Sequence, residues 1–416
     1  MDRDIFDTKE HTLENGVKLV TIRKDTQLAS IHAGVKMGSL YERKEQKGVS
    51  HFIEHMLFKG TINRSNEQLN NELEQLGGEY NAYTDYNCTV YSITALCEEL
   101  GLSIELLADM LQYSNFPQEE IDKERDVILA EIRTSKDDVE DYSYKRANEA
   151  AFKISPLRYD AIGDEKTVKK FTREELLKFY NRYYVPNNCY IVVVSPFEHS
   201  QVFSMIQNCF GNWKFKKFCR EKVEIENNIN TKKISYKNDI EQSSIIYVFT
   251  FHGLDRKQEL ALKILEHKFG ESTNSILFRE VREKRGLAYD IYSDIDTTKY
   301  VKTLYIYTAV SKENVQETLD CIDGCIKDVV EEKIVFNENI ISLMKKVLKT
   351  AVISTIEDTT DLCNYVIHQI IDGDDIYEFL VDMENLEIIK KEDIYGVAKL
   401  VFNKPTVHIL FPKESD

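Results

Sequence analysis

The sequence predicts an α+β fold of two homologous halves, each an α/β domain with a mixed sheet, that face each other. Three observations predict it. Short alternating segments indicate strands, longer segments with apolar residues every three or four positions indicate helices, and parts of the first half recur in the second. The chain has 416 residues, 42% of them hydrophobic and only 6 of them proline, so a globular fold with a sizeable core is expected.

The first half begins with strand patterns and continues with helices and a hairpin. Residues 17–23 alternate between apolar and polar side chains after the Asn15-Gly16 turn, and residues 29–37 predict a second strand. The segment from His51 to Phe58 then predicts a helix. The elements expected after it are a helix over 66–76 closed by Gly77-Gly78, a hairpin of 79–86 and 88–94, a helix over 98–113, and a helix that begins at Pro117.

An internal duplication sets the predicted domain boundaries. Three segments of the first half recur at offsets of 214, 212 and 218 residues: 30–37 in 244–251, 53–55 in 265–267, and 174–186 in 392–404. The last pair is followed in each half by an apolar strand, 189–195 and 406–411. We therefore predict a first domain over 1–215, a charged linker over 216–232 and a homologous second domain over 233–416.

The most informative motif is His51-Phe-Ile-Glu54-His55. Positions i, i+3 and i+4 share one face of a helix, so two imidazoles and a carboxylate project together. This order is the inverzincin motif, in which two histidines bind zinc and the carboxylate takes a proton from a metal-bound water. The alternative is a surface helix with two solvated histidines. It is disfavoured because apolar residues flank the triplet, and a polar stripe among them is costly to bury unless something satisfies it.

Catalytic zinc needs a third protein ligand, and the helix after Pro117 offers one. Glu124 and Glu131 lie seven residues apart and therefore on one stripe of that helix. We interpret Glu131 as the third ligand and Glu124 as the acceptor that orients a ligating histidine. From position and charge alone, ordinary surface acids are the simpler interpretation.

These residues together resemble the pitrilysin or insulinase family of zinc metallopeptidases, most closely its short two-domain branch with mitochondrial processing peptidase and bacterial relatives. The family has H-x-x-E-H, a distal glutamate ligand, and another glutamate seven residues before it. Here Glu131 follows His55 by 76 residues. The resemblance implies one Zn²⁺ per chain held by His51, His55 and Glu131, with Glu54 as base and Glu124 as the supporting acid.

The resemblance extends to the second half. Leu277-Phe-Arg-Glu-Val-Arg282-Glu-Lys-Arg-Gly-Leu-Ala-Tyr289 looks like the family segment that places an Arg and a Tyr across the cleft from the metal. It implies that Arg282 and Tyr289 contact the substrate carbonyl or developing oxyanion. Lys263 stands where the first half has His51, so the second copy cannot build the same metal site, and His267 is interpreted as an ordinary helix histidine.

The resemblance also implies a substrate site. The family binds its peptide as an added strand in a segment similar to Tyr80, Asn81, Ala82, Tyr83 and Thr84, where main-chain pairing gives affinity. Tyr80 and Tyr83 would shape side-chain pockets. Without the resemblance, an aromatic hairpin is more often plain core.

Composition excludes several classes. A net charge of −17 with no compensating basic stripe argues against nucleic acid, and no apolar run reaches the length of a membrane span. The acidic N-terminus lacks the features of a secretory or organellar leader, so a cytoplasmic location is expected. The 8 cysteines form no C-x-x-C pair and are expected to be reduced and structural.

The prediction is a zinc-dependent endopeptidase acting on short or unfolded peptides, in maturation or degradation of a precursor. One alternative is a non-catalytic partner subunit, but inactive members lose parts of the motif and this chain keeps all of it. Another is a peptide-binding protein with a structural zinc, which would need a fourth ligand. Two-domain members need a second chain to enclose a chamber, so a homodimer or heterodimer with a related chain is expected. Arg282 and Tyr289 would serve the zinc of their own chain or a partner's, and we expect their own.

Overall fold

The strands form two mixed sheets with repeated topology. A computed structural model describes residues 5–413 of the protein. Its strands are β1 (Asp7–Thr12), β2 (Lys18–Arg23), β3 (Leu28–Val35), β4 (Glu79–Thr84), β5 (Thr89–Leu96), β6 (Cys189–Ser195), β7 (Thr231–Lys237), β8 (Ser243–Thr250), β9 (Ala288–Asp296), β10 (Thr303–Val310) and β11 (Thr406–Pro412). The first sheet has the order β1-β2-β6-β3-β5-β4, and the second has the order β7-β11-β8-β10-β9.

The two sheets share five equivalent positions. In the first, β6 is parallel to β2 and antiparallel to β3, and in the second β11 is parallel to β7 and antiparallel to β8. Strand β1 adds a sixth position to the first sheet. The predicted α+β fold with two mixed sheets is confirmed, and the matching strand order agrees with an internal duplication.

The helices lie between these strands along the chain. They are α1 (Val49–Leu57), α2 (Asn66–Gln75), α3 (Leu100–Tyr113), α4 (Gln118–Asp137), α5 (Val139–Ala151), α6 (Glu165–Val168), α7 (Arg173–Tyr183), α8 (His199–Phe210), α9 (Arg256–Glu266), α10 (Val315–Val330), α11 (Glu338–Glu357), α12 (Thr359–Asp372), α13 (Glu378–Ile388) and α14 (Lys391–Val401). The sequence patterns identified α1 to α4 and the β4–β5 hairpin within a few residues.

The chain divides into two compact units, each drawn from separate stretches. The first unit contains the chain up to Arg133, Asp160–Lys222 and Ile353–Glu378. The second contains Thr134–Tyr159, Val223–Val352 and the chain from Phe379 onward. Helix α12, from late in the chain, therefore belongs to the first unit, and α5, from early in the chain, belongs to the second.

In the first unit, α12 covers one face of the sheet. A Cβ on Gly34 of β3 would lie 2.7 Å from Cδ1 of Ile371, so glycine allows the helix to approach closely. The Lys36 ammonium donates to the Ile371 carbonyl oxygen at 2.5 Å. Cys363 is fully buried against this sheet, with its Sγ 3.3 Å from the Val192 carbonyl oxygen.

In the second unit, α5 packs on β8 and β11. Ser143 lies against Ser244 of β8, with 2.5 Å between the two Oγ atoms. The Tyr305 hydroxyl donates to Oδ1 of Asn148 at 2.8 Å. The contiguous domains predicted for 1–215 and 233–416 thus differ from the compact units in the placement of these two helices. Periodicity shows that a helix has an apolar face, but it does not show which sheet covers that face.

The edge strands β1 and β7 are among the strands that have no counterpart in the predicted elements. Strand β1 is partly or fully exposed along its whole length, and β7 has exposed Lys232, Lys233 and Ile234. Outer strands with little buried surface lack the apolar alternation by which strands are recognised. The predicted linker over 216–232 overlaps the first residues of β7.

Candidate metal centre and active site

A buried acid fixes the start of α1. Both carboxylate oxygens of Glu42 accept backbone N–H groups, from Gly48 at 2.9 Å and from Ser50 at 2.7 Å. Burial raises the pKa of Glu42, and the neighbouring Lys47 opposes that shift. Gly48 has φ of 89°, and a Cβ there would lie 2.6 Å from the Ile162 carbonyl oxygen. The helix therefore begins at a defined place, with a negative charge at its positive end.

Helix α1 has a buried apolar side and a half-buried polar side. Phe52, Ile53, Met56 and Leu57 have no exposed surface and anchor the helix in the core. The remaining positions of the motif, His51, Glu54 and His55, are half-buried. The motif spacing thus presents all three polar side chains at one accessible surface.

Helix α4 brings the two predicted acids to this surface. The Nε2 atoms of His51 and His55 are 3.3 Å apart. Oε2 of Glu131 lies 3.8 Å from Nε2 of His51 and 3.6 Å from Nε2 of His55. Among the residues that the structure describes, His51, His55 and Glu131 form a group of three side chains that could hold a metal ion. Their donor atoms all lie within 4.8 Å of one another.

These separations fit zinc. Four tetrahedral ligands at the usual zinc distances stand about 3.3–3.5 Å from one another, close to the three distances found here. Three ligand groups also leave one coordination position open, as in catalytic sites. Among residues 5–413, no group hydrogen-bonds the buried Nδ1 of His51, whereas Nδ1 of His55 has Glu124 as its partner.

Glu124 orients His55. The Nδ1–H of His55 donates to Oε2 of Glu124 at 2.9 Å, which leaves Nε2 of His55 free to bind a metal. Lys59 contacts the other oxygen of Glu124 at 2.8 Å. Burial alone would raise the pKa of Glu124, but the hydrogen bonds from His55 and Lys59 lower it. The carboxylate is therefore held ionised beside a ligating imidazole.

The two histidines have opposite protonation tendencies. Burial, followed by the charge of His55, lowers the pKa of His51 to about 4, so His51 is a neutral imidazole able to bind a cation. For His55, burial acts to lower the pKa, but the hydrogen bond with Glu124 and the charge of Glu131 raise it overall. Because a metal binds the neutral imidazole, metal binding and protonation at His55 would compete.

Glu54 lies beside the proposed ligands with its own partner. Its Oε2 accepts the Thr84 hydroxyl at 2.6 Å. Burial raises the pKa of Glu54, with the Thr84 hydrogen bond acting against that shift. A raised pKa brings a carboxyl group closer to the range in which it can both take and give a proton.

An open cavity of about 310 Å³ adjoins Glu54, His55 and Glu124. Its other lining residues are Phe58, Lys59, Asn70, Tyr80, Asn81 and Ala82. Strand β4 forms one wall and is the outermost strand of its sheet, paired with β5 alone among the described residues. Its free edge can hydrogen-bond an extended peptide.

Successive residues of β4 face opposite sides of the sheet. The ring of Tyr80 lies 6.3 Å from that of Phe58, and Thr84 contacts Glu54, so both face α1. Tyr83 faces α12, where its hydroxyl donates to Asn364 at 2.6 Å and lies 2.8 Å from Nε2 of His368. Tyr83 does not line the cavity, whereas Tyr80, Asn81 and Ala82 do.

Arg282 and Tyr289 lie in the second unit and contact each other. The Arg282 guanidinium stands 4.7 Å from the ring centres of both Tyr289 and Phe278. Arg282 belongs to a π-helix, Phe278–Glu283, a conformation often found at functional sites. Tyr289 is 79% exposed. The role given to the pair by the resemblance stays a prediction.

Sequence analysis missed three polar residues around this centre. Glu42, Lys59 and Asn70 each touch α1 or the cavity. Glu42 and Asn70 stand at no spacing that relates them to the motif, whereas Lys59 follows His55 by four residues. Lys59 offered the best signal, because it follows the motif closely in a segment that is otherwise apolar.

Comparisons with known proteins agree with this geometry. Residues 18–165 match the family model described as Insulinase (Peptidase family M16), and residues 170–348 match that of the Peptidase M16 inactive domain. A chain named uncharacterized zinc protease from Rickettsia felis is 35% identical over 313 residues, 72% of this chain and 73% of that relative. The chain belongs to peptidase family M16.

Two further similarities concern the wider family and the fold. The Mitochondrial-processing peptidase subunit beta of Dictyostelium discoideum is 31% identical over 254 residues, which are 60% of this chain and 53% of that relative. The crystal structure of a protease from Helicobacter pylori matches with a TM-score of 0.90 at 22% identity, covering 98% of this chain and 100% of that one. Within residues 5–413, every helix is too short or too polar to cross a bilayer.

Proposed function

We propose that this M16 chain is a zinc-dependent endopeptidase that hydrolyses short or unfolded peptides bound along β4. The observation that carries the proposal is the grouping of His51, His55 and Glu131 donor atoms at 3.3–3.8 Å with Glu54 beside them. The zinc protease names among its relatives support the same metal. Zinc held there would polarise a peptide carbonyl and lower the pKa of a bound water.

The side chains around the site have separate roles in this proposal. Glu54 accepts a proton from the attacking water and returns it to the leaving amine, for which its raised pKa is suited. Glu124 keeps Nε2 of His55 directed at the metal. By the resemblance, Arg282 and Tyr289 bind the carbonyl oxygen of the scissile bond and stabilise its developing charge.

Peptide binding uses the free edge of β4. Main-chain hydrogen bonds to this edge require an extended peptide but little particular sequence, which favours short or unfolded substrates. The cavity beside His55 takes one substrate side chain, and Phe58 and Tyr80 give it an apolar wall.

The second candidate is a non-catalytic partner subunit, which the match of 170–348 to the Peptidase M16 inactive domain brings into consideration. The complete set of His51, Glu54, His55 and Glu131 favours the enzyme instead. We further propose a dimer, with itself or with a related two-domain chain, in line with the subunit named among its relatives. A cytoplasmic location remains a prediction from the sequence.

The test is cleavage mapping of a peptide library by mass spectrometry, with the purified protein, with and without a chelator. Glu54→Gln is the key variant, because it should keep one zinc per chain while lowering turnover about 10²–10⁴-fold. Chelator-insensitive cleavage, or full turnover by Glu54→Gln, would contradict the proposal. The absence of any cleavage by the zinc-loaded protein would favour the partner subunit.

A further inference from the structure

The Thr84 hydroxyl connects the base to the strand that would hold the substrate. Thr84 is the last residue of β4, and its Oγ1 lies 2.6 Å from Oε2 of Glu54. An ionised carboxylate can only accept hydrogen bonds, so Thr84 is the donor. A hydrogen bond to a charged acceptor is shorter and stronger than a neutral one, and this distance agrees with that class.

Thr84 is itself held in place from the neighbouring strand. It is directly opposite Thr89 of β5, and the two Oγ1 atoms are 3.2 Å apart. The Thr89 hydroxyl is buried and donates to the Met37 carbonyl oxygen at 3.0 Å. Because the Thr89 hydroxyl donates to Met37, it can only accept from Thr84, and Glu54 is the closer of the two acceptors for the Thr84 proton, at 2.6 Å against 3.2 Å. The hairpin is closed just beyond by the Asp85 N–H, which donates to the Cys88 carbonyl at 2.8 Å.

Glu54 needs such a support to act as a base. Its side chain has three rotatable bonds, and fixing them before reaction removes an entropic cost from each turnover. Among the described residues, the side chain that hydrogen-bonds the Glu54 carboxylate is Thr84. A peptide paired with the free edge of β4 would also restrain the backbone that carries Thr84.

We propose that Thr84 is a positioning residue that holds the Glu54 carboxylate in its reactive orientation, and that peptide pairing with β4 tightens this hold. The proposal rests on the proposed peptidase function and deepens it, because one strand then both receives the substrate and aligns the base. Its first consequence is that loss of the hydroxyl lowers kcat rather than peptide binding, since main-chain pairing with β4 needs no side chain.

Three variants test this. Thr84→Val removes the hydroxyl and keeps the shape, Thr84→Ser keeps the hydroxyl, and Thr84→Ala removes the hydroxyl without a branched side chain should valine disturb folding. Thr94→Val is the matched control, because Thr94 of β5 points to the opposite face and bonds Ser30 at 2.9 Å. The readouts are kcat and KM for one mapped peptide, bound zinc, and the melting temperature.

Thr84→Val and Thr84→Ala should lower kcat about 10- to 100-fold, with KM within about twofold of wild type and zinc retained. Thr84→Ser should recover most of the loss, and Thr94→Val should behave as wild type. Wild-type kcat in both hydroxyl-free variants would overturn the proposal, as would a rise in KM alone or a failure of serine to restore kcat. Inactive wild-type protein would instead overturn the peptidase function.

Discussion

The candidate metal centre of the first unit and the equivalent region of the second unit share the same strand and helix arrangement but carry different side chains. In both, a helix follows the second of the equivalent strands, α1 after β3 and α9 after β8. The positions of His51 and His55 in α1 correspond to Lys263 and His267 in the second half. The position of the proposed ligand His51 is therefore occupied by a lysine, whose ammonium group repels metal ions.

The remaining groups of the second centre are bound to one another. Glu266, which corresponds to Glu54, is 3% exposed and accepts the Ser293 hydroxyl at 2.7 Å. Nδ1 of His267 lies 2.6 Å from a carboxylate oxygen of Glu271, one turn later in the π-helix His267–Glu271. In the first unit, the acids beside the two histidines come from a second helix, α4. In the second unit, the acid beside His267 is Glu271, only four residues later in the chain.

The comparison shows that a repeated scaffold does not by itself make a site. Helix register places three side chains on one face in either unit, but a metal centre also needs a remote ligand. Glu131 is the candidate for it in the first unit, and Glu124 is hydrogen-bonded to His55 beside it. The described part of the second unit contains no group of three such ligands.

The largest expected effect comes from removing the remote ligand. Glu131→Gln should abolish stoichiometric zinc and lower peptide cleavage more than about 100-fold, because two histidines alone hold zinc weakly. Elemental analysis after dialysis measures the metal. Asp126→Asn, an exposed acid on the same helix, is the control and should keep both zinc and activity. Zinc retained at wild-type level in Glu131→Gln would remove it from the ligand set.

A smaller loss is expected when only the orienting acid is removed. Glu124→Ala should weaken zinc binding about 10- to 100-fold, because Nδ1 of His55 loses its acceptor and the ring loses its fixed orientation. Competition with a chromophoric chelator measures the affinity. Zinc affinity equal to that of wild type would mean that Glu124 serves the fold alone.

Glu266 in the second unit should make the free energy of unfolding depend on pH. Burial, the largest cause, raises the pKa of Glu266 from 4.5 to about 8, with Ser293 opposing the shift. The folded state thus binds a proton that the unfolded state has lost. This contribution to the free energy of unfolding is fully present below pH 4.5 and disappears as the pH rises to about 8.

Glu266→Gln should remove that contribution, which is of order a few kcal/mol. Denaturant unfolding at pH 5 and at pH 8 measures it for both proteins. Between pH 5 and pH 8, the free energy of unfolding should fall more for wild type than for Glu266→Gln. Parallel losses would show that Glu266 does not bind a proton in the folded state.

The smallest effect is expected from restoring the missing histidine. Lys263→His should leave zinc at one ion per chain, because Glu266 already accepts the Ser293 hydroxyl and His267 already contacts Glu271. Elemental analysis of the Lys263→His protein decides this. A second zinc ion would show that Lys263 alone separates the two centres.

Much of the local structure could be predicted from periodicity. The helix that carries His51, Glu54 and His55 is Val49–Leu57, and the predicted hairpin is formed by β4 and β5. Exposed strands such as β1 could not be found, because they bury too little surface to leave a pattern. Glu131 was interpreted as the third ligand from the stripe it shares with Glu124, and the resemblance implies the same role, although position and charge alone do not distinguish it from ordinary surface acids.

The sequence by itself determined which side chains share a face, because helix and strand geometry relate residues only a few positions apart. It therefore contained the motif, the duplicated strands and the Lys263 substitution. Tertiary structure alone decided that α12 covers the first sheet, that Tyr83 turns towards it, and that Thr84 meets Glu54. Those contacts join residues far apart in the chain, and an apolar or polar face does not encode which partner it will meet.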